Sequence, residues 1–307
     1  MEKGPQHIAL FGLLLLANAT TGDCFSSNEE KLNWTMLWPS KIHPSFSLSS
    51  EEAVTSQDSA EFTYTTYHAW VPGDGNNYYG MEVTIDVHGY NLQPGQISQA
   101  GIWIINFGDG QLSSMNGVQV GWQIFPNMYN DSHTHFYTAW ISGESPPKDC
   151  LNMRCPGYQQ TSSSIAPGDV IDPVSDIHGN KQFITLTLFK NKTSGDWHVH
   201  YGFNDRPISV GYFPKSLVPG LVDKPVEIHF GGLVYHQKPQ LSPPMGSGYI
   251  PTSGMAASFN DLKFIDEDGN YYSGNKNLPF HLDLNMCYPI SYIDSGRFFY
   301  GGPGCVD

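Results

Sequence analysis

The chain has 307 residues, with 15 Lys and Arg against 29 Asp and Glu and a formal net charge of -14. Charged residues are only 14% of the total, against roughly 25% in an average soluble domain. The 32 Gly, 22 Pro and 13% aromatic residues favour strands and turns over helices. That balance excludes a basic nucleic-acid-binding stripe, and the aromatic content excludes a disordered or coiled-coil chain.

In chain order, residues 1–19 read as a secretory signal. Lys3 precedes the short apolar run Ile8 to Leu16, and Ala17-Asn18-Ala19 fits a small-x-small cleavage site. The run is well short of the ~20 residues that span a bilayer, and no later stretch is long and apolar enough to do so. The expectation is a secreted, extracellular protein without a membrane span. Asn33, Asn130 and Asn191 each open an Asn-x-Ser/Thr triplet and are expected glycosylation sites. Residues 20–60 are polar and without periodicity, and read as a short extension or remnant pro-segment. A single domain is expected over 61–307.

From Glu61 onward apolar and polar residues alternate with the strand period. The alternation predicts strands at Phe62–Trp70, Met81–His88, Ile97–Ile105, Gly117–Phe125 and Thr134–Trp140. It predicts five more at Gln182–Phe189, Trp197–Phe203, Ile208–Phe213, Val226–Tyr235 and Ala256–Ile265. Clusters such as Pro72-Gly-Asp-Gly75 and Gly108-Asp-Gly110 separate them, so the fold class is an all-β antiparallel sandwich or barrel. Val118, Val120, Trp122 and Ile124 form one apolar face, with Gln119, Gly121 and Gln123 opposite. In the later strand Val226, Ile228, Phe230 and Val234 face the core. Glu227, His229, Gly231, Leu233 and Tyr235 face away, unless Gly231-Gly232 makes a bulge.

Five cysteines give two disulfides and one odd thiol in an oxidising compartment. Cys150 and Cys155 are close enough to close a small loop, Cys287 with Cys305 would tie down the C-terminal segment, and Cys24 is the candidate odd thiol. The Cys-x4-Cys spacing also suits zinc, but it has no second pair to complete it. His133-Thr-His135 and His198-Val-His200 have the spacing of strand-borne metal pairs, with solvated surface histidines as the plainer reading. Gly246-Ser247-Gly248 lacks the nucleophile-elbow pattern. Trp103, Trp122, Trp140 and Trp197 read as core rather than as a sugar-stacking platform. No cofactor and no metal is expected.

Several segments resemble the neprosin family of plant secreted proteins, formerly a domain of unknown function. They are Tyr78-Tyr-Gly80, Gly117-Val-Gln-Val-Gly-Trp-Gln123, Cys155-Pro-Gly-Tyr-Gln-Gln-Thr-Ser162, Gly195-Asp-Trp197, Val210-Gly-Tyr-Phe-Pro214, Phe230-Gly-Gly232, Pro244-Met-Gly-Ser-Gly248 and Phe299-Tyr-Gly-Gly-Pro-Gly-Cys305. The resemblance implies a sandwich of two bent antiparallel sheets, similar to concanavalin-like glucanases and fungal glutamic peptidases. It also implies the Cys150–Cys155 and Cys287–Cys305 pairing, and a location in the apoplast or cell wall.

The activity implied by the resemblance is that of a proline-directed glutamic peptidase with two cleft glutamates, one activating water and the other stabilising the oxyanion. The position two residues before the Gly of Gly-Trp is Gln119 here, and the position after Gly-Gly is Leu233. Neither is a carboxylate. An amide can hydrogen-bond a carbonyl but cannot act as a general base, and leucine does neither. The expected function is therefore a catalytically impaired member that binds proline-containing peptides or another extended polymer in the cleft. The alternatives are an active peptidase with a displaced acid pair and a structural protein of the cell exterior. Glu227, Glu82 and Asp86 are the carboxylates weighed as replacements.

Overall fold

The computed structural model describes residues 38, 61–73, 77–111, 113–144, 148–223, 226–274, 278–282 and 286–305. The expected signal at 1–19, Cys24 and Asn33 lie outside the described residues.

Sixteen strands are described. They are β1 (Glu61–Trp70), β2 (Tyr78–Asp86), β3 (Gln96–Asn106), β4 (Asn116–Ile124), β5 (His135–Ser142), β6 (Lys148–Leu151), β7 (Gln159–Gln160) and β8 (Phe183–Lys190). The second half holds β9 (Trp197–Phe203), β10 (Ile208–Phe213), β11 (Glu227–Gln237), β12 (Met245–Gly246), β13 (Ala257–Asp266), β14 (Tyr271–Ser273), β15 (Phe280–Leu282) and β16 (Phe298–Gly302). The only described α-helix, α1 (Pro126–Tyr129), is a single turn opened by a proline.

The strands form two antiparallel sheets. One runs β15-β1-β11-β3-β4-β5-β6, and the other runs β12-β16-β13-β2-β8-β9-β10-β7 with β14 paired to β13. Each of the ten alternating segments is a strand, displaced by at most three residues at an end. Their apolar faces meet between the sheets: Ile102, Val120, Trp122, Ile228 and Phe230 from the first pack with Val83, Ile85, Leu186, Val199 and Phe259 from the second. The alternation reflects one face of each sheet packing against the other sheet, although β3, β4 and β5 are buried on both faces.

Pairing of β11 with β3 is continuous through Gly231 and Gly232, so no bulge shifts Leu233 to the core side. Cys150–Cys155 and Cys287–Cys305 are disulfide-bonded. Trp122, Trp140 and Trp197 belong to the cluster between the sheets, and Trp103, 1% exposed, is buried on the opposite face of its sheet. Ile102 and Ile104 take the core-facing positions of β3, which leaves Trp103 on the outer face. In the all-apolar run Ile102-Trp-Ile-Ile105 the phase of the alternation could not be read. His133 and His135 do not share a strand face either: His135 opens β5 and is buried, whereas His133 lies in the exposed loop before it.

A cleft face built on glutamines

The outer face of the seven-stranded sheet carries both positions singled out in the sequence. Its rows follow from the register. Across β11, β3 and β4, Leu233 lies beside Gln99 and Gln99 beside Gln123, while His229 lies beside Trp103 and Trp103 beside Gln119. Between these rows Gly231, Gly101 and Gly121 stand side by side, with Tyr67 and Tyr137 at the two ends. Three adjacent glycines leave the middle of this face without side chains, and the flanking tyrosines frame the gap.

Gln119 and Leu233 therefore share a face, as the alternation predicts, but they are two strand spacings and four residues apart. On a flat sheet that is about 16 Å between backbones. Gly101 takes the midpoint between them, one row along β3 from Gln99. Gln99 adjoins Leu233 in register and lines, with Gln119, a cavity of about 10 Å³, about the size of one water molecule. Gln99 is 1% exposed, and among the described residues neither its amide nitrogen nor its amide oxygen has a hydrogen-bond partner. A buried amide with both ends free is costly in a folded chain.

Gln119 is anchored differently. The Tyr137 hydroxyl donates to its Oε1 at 3.0 Å. Burial pushes the Tyr137 hydroxyl well above its ordinary pKa, with Tyr129 adding to the shift, so it stays a donor. Gln123 reaches further along the face, where its amide nitrogen donates to the Tyr129 hydroxyl at 2.7 Å. Tyr129 stacks on His135 at 3.7 Å between ring centres.

Within residues 20–60 the described residue is Trp38, and it is buried against this cleft. Its ring lines the cavity with Gln99 and Gln119 and lies over Gly117, where any Cβ would collide with it. Gly117 is therefore a docking point for an aromatic ring, a role the sequence pattern did not disclose.

The carboxylates weighed in the sequence do not reach the site. Glu82 and Asp86 belong to β2, in the other sheet. Glu227 accepts a hydrogen bond from His229 Nε2 at 2.9 Å, six residues along β11 from Leu233. His229 is fully buried and stacked on Tyr67 at 4.8 Å, and desolvation lowers its pKa despite Glu227. Asp149 of β6 does line the cavity, and burial raises its carboxyl pKa. The register places it across β5 and two residues beyond Gln119, about 12 Å between backbones. Gln99, Tyr137, Trp38 and Asp149 were all missed in the sequence. The signal for Gln99 was its polar side chain just before the apolar run Ala100 to Ile105 of β3.

No group of three or more His, Cys, Asp or Glu residues suited to a metal ion occurs among the described residues. His198 stacks on Tyr212 and His200 sits edge-on to Phe189. Ser247 is buried in the turn after β12, where its hydroxyl accepts the Tyr249 amide. No helix among the described residues is long and apolar enough to cross a membrane.

A solved structure of scytalido-glutamic peptidase with a peptide-based transition-state analogue is similar at 11% identity, covering 77% of this chain and 96% of that one, with a TM-score of 0.42. A second, SCP-B of the eqolisin peptidases in complex with the tripeptide Ala-Ile-His, is similar at 10% identity, with 77% and 96% covered and a TM-score of 0.37. A GH16 protein from Bacteroides ovatus in complex with a glucan product is similar at 10% identity, with 58% and 82% covered and a TM-score of 0.29. The Neprosin family model matches residues 94–303, which takes in β3 through β16 and therefore both Gln119 and Leu233. The chain belongs to the Neprosin family.

Proposed function

We propose that this chain is a secreted, non-cleaving member of its family that holds an extended peptide on the outer face of the seven-stranded sheet. The observation that carries the reading is the Gln99 amide, buried with donor and acceptor both unpaired beside Leu233 and Gln119. A peptide group has one N–H and one C=O, so a backbone laid over the glycine row would pair with both ends of that amide. Gln119 and Leu233 supply no general base, and the register sets Asp149 about 12 Å from Gln119 between backbones. Trp38 shows that the face accepts an aromatic side chain, and a ligand would have to displace it.

Secretion is supported by the N-terminal apolar run and by the two disulfides. Glycosylation is supported by an exposed Asn130 and by Asn191, whose Oδ1 is held by the amides of Thr193 and Ser194. That leaves the Asn191 side-chain nitrogen free of the turn.

A second reading rests on Asp149. If its raised-pKa carboxyl worked with Gln119 through an intervening water, the chain would be a peptidase with a displaced acid. Incubation of the purified protein with proline-containing peptides from about pH 3 to about pH 7, read by mass spectrometry, separates the two. Intact peptide from the native chain, with products from a Gln119→Glu, Leu233→Glu double variant, is the expected result. Products from the native chain that vanish in Asp149→Asn would establish the second reading.

A further inference from the structure

The nine-stranded sheet carries a larger feature on its own outer face, away from the glutamine cleft. It is an open groove of about 730 Å³, within the range of ligand sites and far roomier than the cavity at Gln119. Its floor is made of small polar groups. Thr84 of β2 and Thr185 of β8 share a hydroxyl–hydroxyl hydrogen bond at 3.1 Å. Next to them the buried Asp86 accepts the Ser258 amide at 3.0 Å and the Ser258 hydroxyl at 2.8 Å.

Two folding details raise the walls. A Cβ at Gly202 would strike the carbonyls of Asp205 and Arg206, so the glycine lets the turn after β9 fold back against the sheet. On the opposite side the register of β13 slips between Asn260 and Lys263, and this bulge lifts Asp261, at φ 53, out of the strand. An aromatic ring stands at each end. Phe183 pairs with Asp86, Asp86 binds Ser258, and Ser258 pairs with Phe299. The two rings are thus three strand spacings apart, about 14 Å.

The charge of the lining identifies the ligand class. Lys181 is tied to Asp86 at 3.3 Å and Lys263 to Glu82 at 2.9 Å. Arg206, Arg297, Asp205 and Asp261 complete a lining with equal numbers of cations and anions. An anion site needs an excess of donors and positive charge, which this groove lacks. A groove that mixes charged donors and acceptors at zero net charge suits hydroxyl groups, each of which donates and accepts at once. Aromatic rings at the ends suit the apolar faces of pyranose rings. Asn260 Oδ1 is buried in the groove lining with no partner among the described residues, while its Nδ2 donates to the Ser258 hydroxyl.

We propose that this groove is a second binding site, for a neutral oligosaccharide lying between Phe183 and Phe299. It is independent of the peptide reading, since no residue is shared. The test is calorimetric titration of the full chain with cellotetraose, xylotetraose and mannotetraose, with tetragalacturonate and inorganic phosphate as charged probes. At least one neutral tetrasaccharide should bind at millimolar concentration or tighter. The exposed-residue variant Arg206→Gln, Arg297→Gln should weaken that binding by about ten-fold with an unchanged unfolding midpoint, and Gln99→Leu should leave it unaltered. Failure of all three neutral probes, tighter binding of either charged probe, or indifference to the arginine variant would overturn the proposal.

Discussion

Tyr137 and Gln119 are locked together across β5 and β4, the tyrosine hydroxyl donating to the amide oxygen at 3.0 Å with both residues buried. The bond fixes which end of the amide is satisfied by the protein. It also gives the position where the family resemblance implies a glutamate a neutral, buried donor.

Removing the Tyr137 hydroxyl should therefore leave Gln119 Oε1 unsatisfied. Tyr137→Phe is expected to cost about 1–3 kcal/mol in urea unfolding. Adding Gln119→Met, which removes the stranded acceptor, should recover most of that loss. A Tyr137→Phe variant as stable as the native chain would show that the pair carries no structural weight.

Gln99 predicts the opposite sign. Replacing its unpaired amide by an apolar group of similar size removes a desolvation cost, so Gln99→Leu should raise stability by about 1 kcal/mol. The same change should weaken retention of a proline-containing peptide in equilibrium dialysis. Gain of stability with loss of binding is the signature of a residue kept for a ligand.

Trp38 and Gly117 should be coupled. Gly117→Ala alone forces its Cβ into the Trp38 ring and is expected to cost about 1–3 kcal/mol. In a Trp38→Ala background the clash is gone and the same change should cost well under 1 kcal/mol. Additive effects in this cycle would show that the ring does not dock on Gly117 in solution.

Stability should also fall with acid in a defined window. Burial, outweighing its backbone hydrogen bonds, lowers the pKa of His68 from 6.5 to about 4. The unfolded chain then binds the proton first as pH drops, so this contribution is complete above about pH 6.5 and is lost between there and about pH 4. For a shift of that size the loss is about 3 kcal/mol. His68→Leu should flatten the pH dependence of the unfolding midpoint in that window by about one proton.

The strands with one core face were legible in the sequence because a two-residue period survives any detail of packing. The short strands β6, β7, β12, β14, β15 and β16 were not, since two to five residues hold too little alternation to stand out. The facing of Gln119 and Leu233 was also legible, but their separation was not. Register between strands depends on β3, which lies between β11 and β4, and a long-range pairing leaves no local mark. Trp38 could not be placed either. A single aromatic in a polar stretch is ordinary, and its partner is a glycine more than seventy residues away.

The most direct test is end-product analysis of the native chain with proline-containing peptides, run beside equilibrium dialysis of the same peptides. The peptides should be retained, Gln99→Leu should weaken the retention, and every peptide should be recovered intact across the pH range. Cleavage products from the native chain would contradict the non-cleaving reading and would make Asp149 the residue to change next.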